Sequence, residues 1–139
     1  MSEPKNILVA DDSENDFFLI KGGFRKAGLH HKFFHVADGK KAFAYLNGED
    51  GYSDRATWPF PHLLLLDIKM PGVDGFDLLR LLCERPDIKV PFIAMLSGSI
   101  VPEDARTATD LGAAAYYVKP HDTAELETLA RAINERFFI

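Results

Sequence analysis

Apolar residues gather along the chain into four unbroken runs, Ile7 to Ala10, Leu63 to Leu66, Phe92 to Leu96 and Ala115 to Val118, with helically spaced apolar positions between them. None of the four alternates apolar with polar, and that is the pattern of strands covered on both faces, as in a parallel sheet. Periodicity alone does not separate a buried strand from a turn of buried helix. The spacing does, because the helical patterns in between give crossovers long enough for parallel pairing. With a shorter strand near Phe33 to Val36, the chain reads as an α/β domain: a doubly wound, five-stranded parallel sheet flanked by five helices.

The first helix is predicted to open at Ser13, with Asp16 three residues on completing a capping box. It presents Phe17, Ile20, Phe24 and Ala27 on one face and stops at Gly28. Gly22 and Gly23 in its middle cost about 1 kcal/mol each relative to alanine, so packing has to stabilise it. A second helix is predicted from Gly39 to Leu46, and a third after the Pro71-Gly72 turn, with Phe76, Leu79, Leu82 and Cys83 at helical spacing. The fourth runs from Pro102 to Leu111. The fifth runs from Asp122 to Phe137, under an Asp122 and Glu125 cap, with Leu126, Leu129, Ile133 and Phe137 as its stripe. The stretch Asn47 to Pro61 reads as a long loop, either functional or a tolerated insertion with Trp58 or Phe60 tucked against the core.

Composition narrows the setting. At 139 residues and 47% apolar, residues 1–139 are expected to form one domain with a full core and no separate output domain. A net charge of −5 speaks against nucleic-acid binding, which shows as a basic patch or stripe. No run reaches the roughly eighteen apolar residues of a membrane span, and the N-terminus lacks a signal-peptide pattern, so a cytoplasmic location is expected. The single cysteine, Cys83, reads as a core filler. His30 and His31 are consecutive, so on a helix they cannot face one ion together, and His35, His62 and His121 form no recognised ligand spacing. Surface or loop roles are expected for these histidines, with His121 near the rim of any site beside Lys119-Pro120.

The chemistry lies just past the strand ends. Asp11 and Asp12 follow the first run, Asp67 the third strand, Ser97 the fourth and Lys119 the fifth. Singly, an aspartate there is most often a helix cap and Lys-Pro a turn. Jointly, three carboxylates, a hydroxyl and an ammonium meet in one crevice at the carboxyl edge of a parallel sheet, where such folds bind ligands. The carboxylates would repel one another unless a cation compensates, and an all-oxygen set suits Mg²⁺, which keeps waters and leaves positions for phosphoryl oxygens. Lys119 and Ser97 supply a charge and a donor for a phosphoryl group.

The motifs at those positions resemble, over essentially the whole chain, the receiver domain of two-component response regulators. Leu65 to Gly75 is similar to the family's phosphoacceptor loop, Asp11-Asp12 to its acidic pair, Ser97-Gly98 to its hydroxyl and small residue, and Lys119-Pro120 to its lysine and proline. The resemblance implies strand order 2-1-3-4-5, a phosphohistidine donor on a sensor histidine kinase or phosphotransfer protein, and Asp67 as acceptor. It implies Mg²⁺ (or Mn²⁺) held by Asp12, Asp67 and the Lys69 backbone carbonyl, with Asp11 acting through a coordinated water. Lys119 and Ser97 would bind the phosphoryl oxygens, with the peptide before Pro120 usually cis in the family. Tyr116 matches an aromatic that turns inward with Ser97, or is simply a half-buried strand tyrosine. Lys69 and Ser99 match positions that tune the lifetime of the phosphoryl group. The long segment before the third strand is similar to stand-alone receivers that partner bacterial phytochromes.

Two other classes share parts of this pattern. An aspartyl-phosphate phosphatase would carry its nucleophile after the first strand in an Asp-x-Asp pattern, whereas Asp67 follows the third. A flavodoxin-like binding protein would need a hydroxyl-rich phosphate loop where Asp11-Asp12 stand, and two carboxylates repel a bare phosphate. Output is expected through protein contacts, to a downstream target or a homodimer, and the resemblance to receivers implies the face formed by the fourth helix, fifth strand and fifth helix. The terminal Phe137-Phe138-Ile139 cannot all lie on one inward stripe, so either Phe138 and Ile139 extend that face or the terminus frays with one phenylalanine folded back onto the core.

Overall fold

The computed structural model describes residues 3–139. Strands β1 (Asn6–Ala10), β2 (Lys32–Val36), β3 (Leu63–Leu66), β4 (Phe92–Ser97) and β5 (Ala115–Val118) alternate with helices α1 (Glu14–Lys26), α2 (Gly39–Asn47), α3 (Gly75–Cys83), α4 (Pro102–Asp110) and α5 (Thr123–Phe137). The sheet is parallel throughout, in the order β2-β1-β3-β4-β5. Register pairs Ala10 with Val36 on one side and with Leu66 on the other, and Leu66 in turn with Met95. The carboxyl ends of β1 and β3 are therefore level, β4 runs two residues further to Ser97, and the residues at these ends share one edge.

Alternate strand residues feed two cores. Leu8, Ala10, Leu64, Leu66 and Met95 pack under α2, α3 and α4, while Ile7, Val9, Leu63, Leu65, Ala94 and Leu96 pack under α1 and α5. The continuous apolar runs follow from this, since both faces of the central strands are covered. β5 is an edge strand and departs from the expectation of full burial: Tyr116 and Tyr117 are half-buried and Val118 is exposed.

The two glycines of α1 differ in purpose. A Cβ on Gly23 would lie 2.8 Å from the Leu126 carbonyl oxygen, so its absence lets α1 and α5 approach closely, whereas a Cβ on Gly22 would meet nothing. The long loop after α2 is tied to the core rather than free. Arg55 donates to the carbonyls of Tyr45 and Leu46 at the end of α2 and to that of Trp58, and Trp58 packs edge-on with both Tyr45 and Tyr52. The guanidinium thus satisfies the Leu46 carbonyl and adds a bond to that of Tyr45, which also accepts from Gly48 N–H.

Several local expectations are corrected. Cys83 is exposed at the last position of α3, its Sγ facing the Leu111 carbonyl at 3.5 Å, so it fills no core. Of the two readings of the chain end the folded-back one holds: Phe138 is buried, its ring 4.8 Å from that of His31, and Ile139 projects outward. His31 and His62 lie in loops, as expected, but are half-buried: each accepts from a main-chain N–H at the start of β1, from Lys5 and Asn6 respectively. No cis peptide occurs among the described residues, so Lys119-Pro120 is trans. No helix is long and apolar enough to cross a membrane among these residues.

Candidate functional site

The sheet ladder continues just far enough past the strands to fix the residues at their ends. Asp11 N–H donates to the Val36 carbonyl (3.0 Å), Asp67 N–H to that of Ala10 (2.9 Å) and Lys119 N–H to that of Ser97 (2.8 Å). The segment after Asp67 is held by a near contact that only glycine permits. Gly75 N–H bonds the Ile68 carbonyl at 2.8 Å, and a Cβ on Gly75 would fall 2.2 Å from the Asp67 carbonyl oxygen. Asp74 then caps α3 in a capping box with Asp77.

Asp11, Asp12 and Asp67 bring one carboxylate oxygen each to within 4.8 Å of the others. Asp11 and Asp67 are buried, at 1% and 6% exposure, while Asp12 faces solvent. Lys119 closes the crevice from β5, its Nζ lying 2.8 Å from carboxylate oxygens of Asp11, Asp16 and Asp67 alike. Burial alone would lower the lysine pKa. The three hydrogen-bonded carboxylates outweigh it and hold the ammonium firmly charged. Burial raises the Asp11 carboxyl above its ordinary value, against the opposing bonds from Lys119 and from Ser13 N–H.

Asp16 is the member that the sequence misassigned. Its main-chain N–H is capped by Ser13 Oγ as expected, but its carboxylate turns away from the cap to Lys119, and Ser13 N–H goes to Asp11 instead. Half of the capping box exists. Three carboxylates thus bond one ammonium while Asp12 stands beside two of them, an excess of negative charge that fits a hard divalent ion better than any neutral ligand.

Ser97 lies at the crevice floor, buried, with its Oγ accepting from Ser99 N–H at 3.3 Å. Ser99 directs its own hydroxyl to Asp104 in the first turn of α4. Tyr116 is half-buried, and its hydroxyl donates to the Ser99 carbonyl at 2.9 Å, tying β5 to the loop between β4 and α4. Lys69 is exposed beside Asp67. His121 is also exposed, two residues past Lys119, while His35, expected on the surface or in a loop, lies half-buried on β2 with its ring on the Asp11 carbonyl.

An open α/β sheet with an acidic, lysine-closed crevice at its carboxyl edge is the architecture that the receiver motifs lead one to expect. The chain belongs to the response regulator receiver domain family, whose model matches residues 7–131. It is similar to response regulator Rcp1 of Synechocystis, 28% identical over 136 residues that cover 98% of this chain and 90% of the relative. The Mn²⁺-bound form of Rcp1 superposes with a TM-score of 0.81 at 27% identity, covering 95% and 93% of the two chains. Response regulator RPA3017 in red light signalling of R. palustris gives 0.90 at 29%, covering 98% and 94%. The phosphorylated cyanobacterial phytochrome response regulator RcpA gives 0.85 at 29%, covering 97% and 94%. Strand order, receiver class and likeness to phytochrome response regulators are as the motifs implied.

Proposed function

We propose that this receiver takes a phosphoryl group onto Asp67 from a phosphohistidine of a sensor histidine kinase or phosphotransfer protein, and signals through protein contacts in the cytoplasm. The observation that carries this reading is the position of Lys119 Nζ, 2.8 Å from both Asp67 and Asp11, in a crevice whose third carboxylate is Asp12. In the transfer an oxygen of Asp67 bonds to phosphorus as the phosphorus–nitrogen bond to the donor imidazole breaks, with the bonding pair returning to the imidazole. Positioning and charge neutralisation supply most of the catalysis in such transfers.

Asp12, Asp67 and the Lys69 carbonyl are the direct ligands proposed for Mg²⁺ or Mn²⁺, and Asp11 acts through a coordinated water. When bound, the ion neutralises charge on the phosphoryl oxygens. The buried carboxylates, the charge excess around Lys119 and the Mn²⁺-bound relative Rcp1 support this donor set. Lys119 binds a second phosphoryl oxygen and Ser97 Oγ a third, and the side chains of Lys69 and Ser99 tune the lifetime of the product by access and charge.

Exposed Phe18 and Leu19 on α1, the latter beside Asp16 and Lys119, favour a protein donor over a small molecule as the physiological source. For output, movement of Ser97 toward a phosphoryl oxygen withdraws the acceptor of Ser99 N–H, and Ser99 is the residue whose carbonyl holds Tyr116. Tyr116 is thereby the coupling to the face of α4, β5 and α5, where Ile100, Val101 and Val118 are exposed. Contact there with a downstream partner or a second copy completes the reading.

Incubation with acetyl phosphate tests it. Acid-labile phosphate should form with Mg²⁺, fail to form in EDTA and be absent from Asp67→Asn. Undiminished phosphate on that variant would remove Asp67 as the acceptor.

A further inference from the structure

We propose that His35 is a positioning residue of the acidic crevice: by holding the Asp11 main-chain carbonyl, it sets the Asp11–Asp12 peptide and with it the cation affinity of Asp12. The proposal rests on the reading of Asp12 as a metal ligand.

The three carboxylates of the crevice are held unequally. Asp11 is fixed by Lys119 and by Ser13 N–H, and Asp67 is fixed by Lys119. Asp12 is exposed and its side chain makes no hydrogen bond among the described residues. Its carboxylate is aimed by its main chain alone.

That main chain is gripped on both sides by β2. Asp11 N–H donates to the Val36 carbonyl at 3.0 Å, the last rung of the ladder. The chain then bends away toward Ser13 and α1, which leaves the Asp11 carbonyl without a strand partner. His35 Nε2 meets that carbonyl at 2.7 Å. A carbonyl only accepts, so Nε2 carries the proton of this bond.

The imidazole is itself locked. It stacks on Phe17, with centroids 4.6 Å apart and planes 11° apart, and Phe17 is buried in the layer between the sheet and α1. A ring held flat against a core aromatic directs its N–H along a fixed line, and a ligand aimed through a short stretch of backbone inherits that direction. The alternative is a histidine that merely fills the end of an edge strand, and the two readings part on metal binding.

Mn²⁺ titration followed by electron paramagnetic resonance, with a thermal melt of each protein in EDTA, separates them. The variants are His35→Phe, which keeps the stack and removes the donor, His35→Gln, whose amide nitrogen reaches the position of Nε2, and Asp12→Ala. His35→Phe should bind Mn²⁺ about tenfold more weakly, and His35→Gln should return to within about threefold of the wild type, with both melting near it. Wild-type affinity in His35→Phe would overturn the proposal, as would equal weakening in both His35 variants together with an equal loss of melting temperature. If Asp12→Ala binds as the wild type does, the metal-site reading fails first and the His35 proposal falls with it.

Discussion

Lys119→Met removes the one ammonium within reach of three carboxylates and keeps an unbranched, flexible side chain in its place. Nζ lies 2.8 Å from each carboxylate, and the side chains of Lys119, Asp11 and Asp67 are 20%, 2% and 8% exposed. Breaking a buried pair from one side costs about 3–5 kcal/mol, because the surviving charge stays desolvated without its partner. The partial exposure of Lys119, and that of Asp16 at 34%, argues for the lower end, about 3 kcal/mol. Against a typical total of about 5–15 kcal/mol this is a large fraction. Urea unfolding at neutral pH in EDTA should therefore show a midpoint well below that of the wild type with an unchanged slope. The gap should narrow in Mg²⁺, because an ion bound only by the folded state replaces the lost charge. In the Lys119→Met background, Asp11→Asn should recover about 1–2 kcal/mol by removing one buried charge, an effect opposite in sign to that of most core polar changes. If Lys119→Met in EDTA unfolds within about 0.5 kcal/mol of the wild type, the charge balance argued for the crevice is wrong.

Asp16→Asn takes one negative charge from the rim of the crevice, so acetyl phosphate should phosphorylate the variant about two- to fivefold faster in Mg²⁺. A slower rate would make Asp16 a required holder of Lys119. Gly75→Ala forces a Cβ against the Asp67 carbonyl, so it should lose about 2 kcal/mol in urea melts and slow phosphorylation at the same time; wild-type values for both would contradict the close approach. Burial pushes the Tyr45 hydroxyl up to about 12 from 10.0. The unfolded tyrosine gives up its proton first, so stability falls as pH rises through the window between those values. Wild type should lose roughly 2 kcal/mol there that Tyr45→Phe does not, read from urea melts across the window. Parallel curves would place that hydroxyl in contact with solvent.

The strands and the order of chemistry at their ends were legible because a doubly covered strand leaves an unbroken apolar run, and each candidate residue stands just after one. What escaped depended on direction or on distant partners. Asp16 has the spacing of a capping carboxylate, and sequence spacing cannot tell a side chain turned back to Ser13 from one turned across the sheet edge to Lys119. Cys83 shares the helical spacing of Phe76, Leu79 and Leu82, yet its place at the end of α3 leaves it outside the core. Phe138 is buried because His31, 107 positions earlier, presents a ring to it, and no local pattern records that. The five histidines were excluded as a metal cluster on spacing, which says nothing of the main-chain groups that His31, His35 and His62 engage. The loop after α2 had two readings from its composition, and the three carbonyl bonds of Arg55 favour the packed one.

The central claim is that Asp67, and neither Asp11 nor Asp12, is the phosphoryl acceptor. Borohydride reduces an aspartyl phosphate to homoserine, so treating the acetyl phosphate product and sequencing its peptides by mass spectrometry locates the bond directly. The account predicts homoserine at position 67 alone, dependent on Mg²⁺. Homoserine at position 11 or 12, or a stable phosphate on Ser97, would contradict it.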